Sequence, residues 1–276
     1  MIIDSGGNIN ITQAIDSSSV SGDAGNITLI ADDGVSIAGN GIFSETRGAG
    51  AGGDIRIQSE SVLLREASLV STATFRTGNA GNLTVETGQL LVQDGSQLIT
   101  STLGEGDGGE VNINATEIEF IGANPNNGNP SGLFAVVEDG ATGNGGNVSI
   151  STQNLRIVDG AFLDVSTLGE GNSGNLTVTA KDKIEVIGSP EGNASGIDAQ
   201  VNSGATGNAG NVTLYTVELL VSQGGQISVS TFGEGNGGEL TVNASQIELN
   251  GDNPIDGSPS GLFASVGDGA ISPRHR

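Results

Sequence analysis

The chain has 276 residues, 47 of them Gly and only 3% aromatic, with no Trp and no Cys. Its formal net charge of −23 argues against nucleic acid, whose phosphates demand Lys and Arg, and against an anionic membrane surface. Without Cys there is neither a disulfide framework nor a thiolate metal site.

The length suits one large domain or two ordinary ones. So few rings point to a core of stacked Val, Ile and Leu. No run of 18 apolar residues occurs, so no transmembrane helix is expected. The first residues, Met1-Ile2-Ile3-Asp4, lack the basic and apolar regions of a signal peptide.

In chain order, residues 1–25 read as a partial N-terminal coil, with a weak strand pattern at Asn8 (NINI). From Asn26 a unit recurs: a small residue or Gly, then Asn, Asp or Glu, then apolar-polar-apolar. Copies begin at Asn26, Asp54, Asn82, Glu110, Asn147, Asn175, Asn211 and Glu239, at spacings of 28, 28, 28, 37, 28, 36 and 28. The copy at 82–109 shows the unit most clearly. It holds three alternations (Leu83-Thr84-Val85; Gln89 to Val92; Gln97 to Thr100), separated by Gly-containing turns. Period 2 with such boundaries means strands.

A 28-residue unit of this kind buries nothing alone, so the copies must stack. The reading is all-β: a parallel β-helix with three strands per turn, about 28 residues per coil. Residues 26–270 form eight coils, about 38 Å long at ~4.8 Å per layer, and 271–276 form an aberrant tail. Ile27, Ile55, Leu83, Val111, Val148, Leu176, Val212 and Leu240 form one inward stack. Arg56 falls on the outward phase, where a charge is tolerated. The leading Asn residues suit a hydrogen-bonded ladder, which Asp54, Glu110 and Glu239 should break.

Alternate coils carry 8–9-residue insertions, assigned to the loops at 122–132, 188–196 and 251–261. They are rich in Pro, Asn and Gly. The unit is therefore a pair of coils, and the loops should project from one side, two layers apart. Loops on a rigid scaffold carry function more often than strands do. Asn124, Pro125, Asn129, Pro130, Pro190, Asn193, Asn253, Pro254 and Pro259 are thus the partner-contact candidates. Both ends look unfinished, as in a fragment of a longer array or the product of a truncated gene.

The segment from Gly78 to Ala115, GNAGNLTVETGQLLVQDGSQLITSTLGEGDGGEVNINA, resembles repeats of large cyanobacterial exoproteins of the filamentous haemagglutinin type. So do NPSGLFAVV and SPSGLFASV. The resemblance covers roughly 25–270. It implies a right-handed parallel β-helix, which agrees with the usual hand of parallel crossovers. It also implies an extracellular or outer-surface location and a structural or adhesive role, with a cell-surface carbohydrate or protein as ligand. Full-length relatives would use an outer-membrane partner for two-partner secretion. The family's secretion domain has no counterpart in this sequence.

Chemistry is sparse. His275, the one histidine, lies in the tail, so no catalytic residue is assigned to a Ser-His-Asp triad and no His metal site is expected. Asp94 and Asp159 share one offset and both precede Gly, as a tight turn requires; the next equivalent is Gln223. No basic residue recurs beside them to support paired-carboxylate catalysis. Glu105, Glu170 and Glu234 recur in GEG loops, and with Asp107 they are weak Ca²⁺ candidates; no other cofactor is expected. The sequons at Asn26, Asn82, Asn147, Asn175 and Asn211 follow from the strand pattern. A non-enzymatic structural or adhesive segment is the leading expectation; a carbohydrate-binding or polysaccharide-degrading β-helix is the alternative.

Overall fold

The computed structural model of the chain describes residues 1–267. Ala270, the tail at 271–276 and His275 lie outside the described residues. The fold is a parallel β-solenoid of nine turns, without helices among the described residues.

Each complete coil contributes one long and one short strand. The long strands from the third coil onward are Ile55–Arg65, Leu83–Gln93, Val111–Ile121, Val148–Val158, Leu176–Ile187, Val212–Ser222 and Leu240–Asn250. The short ones are Gly41–Phe43, Leu69–Ser71, Gln97–Ile99, Gly132–Phe134, Phe162–Asp164, Gly196–Asp198, Gln226–Ser228 and Gly261–Phe263. Every neighbour pairs in parallel, coil upon coil.

The expected three strands per turn are regrouped. The first two alternations fuse into one long strand, because backbone pairing runs through the corner between them. The side chains record the corner, and in Leu176–Ile187 the backbone does too: one extra residue there shifts its register against both neighbouring strands. In Val111–Ile121 the buried residues are Val111, Ile113 and Ala115, then Ile118 and Phe120. The inward phase slips by one residue while the ladder continues. In the second coil Asp32 and Asp33 separate Ile27–Ala31 from Gly34–Ala38, and the corner becomes a gap. A third line of contact consists of single bridges from Thr46 through Thr74, Thr102, Val137, Thr167 and Val201 to Thr231 and Val266.

Residues 1–25 supply the additional turn. Ile2–Ser5 pairs with Ile27–Ala31, Ile9–Ile11 with Gly34–Ala38, and Ile15–Asp16 with Gly41–Phe43. The NINI run at Asn8 is therefore a second alternation rather than a first. Apolar spacing, not the leading Asn, sets its register.

The extra length of the coil at 110–146 is divided between two places. Leu98 lies 16 residues after Asn82, whereas its partner Leu133 lies 23 after Glu110. Thr102 precedes Glu110 by 8 residues, and its partner Val137 precedes Asn147 by 10. Seven extra residues thus enter the loop and two enter the coil's exit.

The inward stack is fully enclosed from Ile27 to Val212, and Arg56 lies on the exposed face beside Glu86, at 2.6 Å. In the ninth coil Ile247 and Leu249 remain 47% and 45% exposed.

Polar ladders run along the outside. The Asn26 Oδ1 accepts the Asp54 N–H, the Asp54 Oδ1 accepts the Asn82 N–H, and Asn82 Oδ1 accepts the Glu110 N–H, at 2.8–2.9 Å. Asp54 therefore continues the ladder it was expected to break, since a carboxylate oxygen sits where the amide oxygen would. The run resumes from Asn147 through Asn175 and Asn211 to Glu239. A parallel ladder links Asn79, Asp107, Asn144, Asn172, Asn208 and Asn236.

Candidate functional site

The inserted loops stand on one lateral face. Each sits above the tight turn of the coil before it, where Asp94, Asp159 and Gln223 adopt left-handed backbone with φ of 57°, 59° and 54°. A Gly follows each, also at positive φ. These residues make turns, and Asp94 and Asp159 belong to different layers, two coils apart.

The first loop is a small hairpin closed by a bridge between Ala123 and Pro130. The Asn124 N–H donates to the Asn129 carbonyl (2.7 Å), and the Asn124 Oδ1 accepts the Asn126 N–H (2.8 Å). In the second, the buried Ser189 hydroxyl accepts the N–H groups of Glu191 (3.2 Å) and Asn193 (3.0 Å). The third repeats the first, with a bridge between Asp252 and Pro259. Asn253 Nδ2 reaches across to the Gly192 carbonyl at 2.8 Å.

The first two loops flank an open cleft of about 640 Å³, with Asp159 on its floor. Asn124, Pro125, Pro190 and Asn193 line it. Asn129 and Pro130 lie on the far limb of the first hairpin. Asn253 is 3% exposed and braces the second loop instead of facing a partner. Pro254 and Pro259 are exposed on the third loop.

The Ca²⁺ candidates are dispersed. Glu105, Glu170 and Glu234 are exposed and alternate with other coils, Glu170 and Glu234 being separated by the Thr206 rung. Asp107 belongs to the polar ladder, where its Oδ1 accepts both the backbone N–H and the side-chain amide of Asn144. Among the described residues no group of three or more His, Cys, Asp or Glu is arranged to hold a metal ion. A second concavity, of about 810 Å³, follows the corner of the long strands past Asp32, Asp33, Glu60 and Glu86.

A cluster that sequence reasoning missed lies on the outer face of the short strands. Phe134, Asp164, Asp198 and Ser228 are consecutive rungs of one column. Burial raises the pKa of Asp164, against the opposing hydrogen bonds from Ser166. Burial, then the charge of Asp164, pushes Asp198 up to about 7, against a hydrogen bond from the Gln200 amide. Burial and Asp164 likewise raise Glu138. Asp164, on the sixth coil, is thus the common neighbour of Glu138 on the fifth and Asp198 on the seventh. The signal was present: aligning Leu133, Leu163 and Ile197 as inward residues puts Asp164 and Asp198 side by side on the outside. Alignment on the leading Asn hides this, because the insertions shift the offsets.

No family model, curated protein or solved structure matches the chain.

Proposed function

We propose that the chain is a non-enzymatic, rigid structural or adhesive segment of a secreted or outer-surface protein of the filamentous haemagglutinin type. The observation that carries this reading is the continuous parallel pairing of both sheets through nine coils, with loops displayed on one face at a two-coil interval. A scaffold held by backbone pairing and side-chain ladders keeps its outer loops in fixed positions. In this reading the loop face meets a carbohydrate or protein ligand, and the full-length protein uses an outer-membrane secretion partner.

The test is surface display. Cells displaying the chain should be retained on surfaces coated with whole cells or extracellular matrix. The chain should release no unsaturated or reducing ends from pectin or alginate. Absence of retention overturns the adhesive role.

The Asp164–Asp198 pair favours a second reading, polysaccharide hydrolysis. A carboxyl that stays protonated near neutrality beside an ionisable neighbour has the properties of a general acid. Release of reducing ends by the chain, lost in Asp198→Asn, would establish this reading in place of the first.

A further inference from the structure

We infer that the cleft between the first and second inserted loops is a binding site for a short segment of a neutral, hydroxyl-rich glycan. The inference rests on the reading of the loop face as the contact face and gives that face a ligand class.

The cleft's size falls within the ~300–1,000 Å³ of typical small-molecule sites. Its chemistry is more informative. Asn124, Asn126, Asp159, Ser189, Glu191 and Asn193 line it, with no aromatic and no cationic side chain in the lining. Centres of protein–protein interfaces are enriched in aromatics and Arg and depleted in Asp and Glu. This lining has the opposite character.

Sugar hydroxyls both donate and accept hydrogen bonds. Amides offer donors and acceptors together, and carboxylates accept. The amides of Asn126 and Asn193 and the carboxylates of Asp159 and Glu191 hydrogen-bond to no other side chain or backbone group among the described residues. They are free to serve a ligand. Two carboxylates with no compensating cation disfavour uronates and sulfated sugars, so the ligand is neutral.

The jaws are held before any ligand arrives. The Asn124 side chain fixes the turn of the first loop. The Ser189 hydroxyl fixes the second from within. The third loop braces the second from outside, through the Asn253 amide and through Ile255 packed on Gly192. Preorganisation of this kind lowers the ordering cost of binding.

The experiment is an NMR titration of the whole chain with cellohexaose, mannohexaose, maltohexaose and hexagalacturonate. At least one neutral oligosaccharide should shift the amide signals of 122–128, 159–160 and 189–193. Asn193→Ala should weaken that binding about five-fold, the equivalent of one hydrogen bond. Replacing 122–130 with Asp-Gly should abolish it while the melting temperature holds. Hexagalacturonate should bind at least about ten-fold more weakly, through like-charge repulsion.

No shift with any neutral sugar overturns the inference, as does unchanged affinity in the loop variant or equal binding of hexagalacturonate. Retention of displaying cells distinguishes the two failures. Retention that survives periodate but not protease treatment of the surface identifies a protein ligand: the glycan site is then wrong and the adhesive role stands. Loss of all retention removes the adhesive role itself.

Discussion

A Cβ built on Gly174 would stand 1.9 Å from the carbonyl oxygen of Gly146, and one on Gly146 would stand 1.9 Å from that of Gly109. The column continues through Gly81 and Gly210. There the backbones of successive coils touch, and this close approach accounts for much of the glycine content. Gly174→Ala has no side-chain end to push aside. It should destabilise the fold by about 1–3 kcal/mol, as overpacking does, read as a lower urea midpoint with unchanged slope. Asp198 gives a second expectation at this scale. Its folded pKa, about 7, lies above the ordinary value of 3.8. The folded state therefore holds a proton that the unfolded chain releases, and stability falls as pH rises from about 4 to about 7. Asp164 and Glu138, raised in the same direction, reinforce the slope. Thermal melts across that window should show a falling midpoint. Asp198→Asn should flatten the fall, and an unchanged slope in that variant would refute the assignment.

Strands and loops differ in how openly the sequence declares them. The 28-residue recurrence and the period-2 alternation announce parallel stacking, because every coil must bury its apolar face against its neighbours. The fused long strand is less legible. Ala115 and Ile118 reveal a change of phase, but nothing in their spacing says that pairing continues through the corner. The loop residues were legible as a group, since Pro, Asn and Gly interrupt the alternation. Their distribution between cleft, hairpin limb and brace was not: Asn253 looks like Asn124 in sequence, yet lies buried against the second loop. Asp164 and Asp198 were hidden because their proximity depends on register across coils of unequal length. Outside the loops, an ion-pair chain crosses four coils: Arg156 meets Glu119 (2.6 Å) and Glu185 (3.0 Å), and Lys183 meets Glu185 (2.8 Å) and Glu218 (3.1 Å). The loops themselves are separable from this frame. The coils before and after already turn with Asp-Gly at the same place. Shortening 122–130 to Asp-Gly should therefore change stability by no more than about 1 kcal/mol, measured by denaturant unfolding. A larger loss would mean that the loop braces the solenoid.

At the scale of the molecule, the strands of each coil pair only with those of its immediate neighbours, the third loop's contact with the second being a two-coil exception, so stability is close to a sum over layers and interfaces. Central coils have two such interfaces. The ninth coil has one among the described residues, and its inward Ile247 and Leu249 retain nearly half their surface. Local opening should follow that gradient, because regions with few buried contacts open at the least cost. Hydrogen exchange followed by mass spectrometry should find the slowest amides in Leu83–Gln93, Val111–Ile121, Val148–Val158 and Leu176–Ile187. Leu240–Asn250 should exchange faster by orders of magnitude. A core deletion sharpens the test. Leu176→Ala removes a fully buried side chain from the middle of the stack and should cost about 2–5 kcal/mol. In a layered molecule that loss should raise exchange most in the sixth to eighth coils, less in the second and third. Equal acceleration everywhere would mean that the nine coils unfold as one cooperative unit, and the nearest-neighbour description would fail.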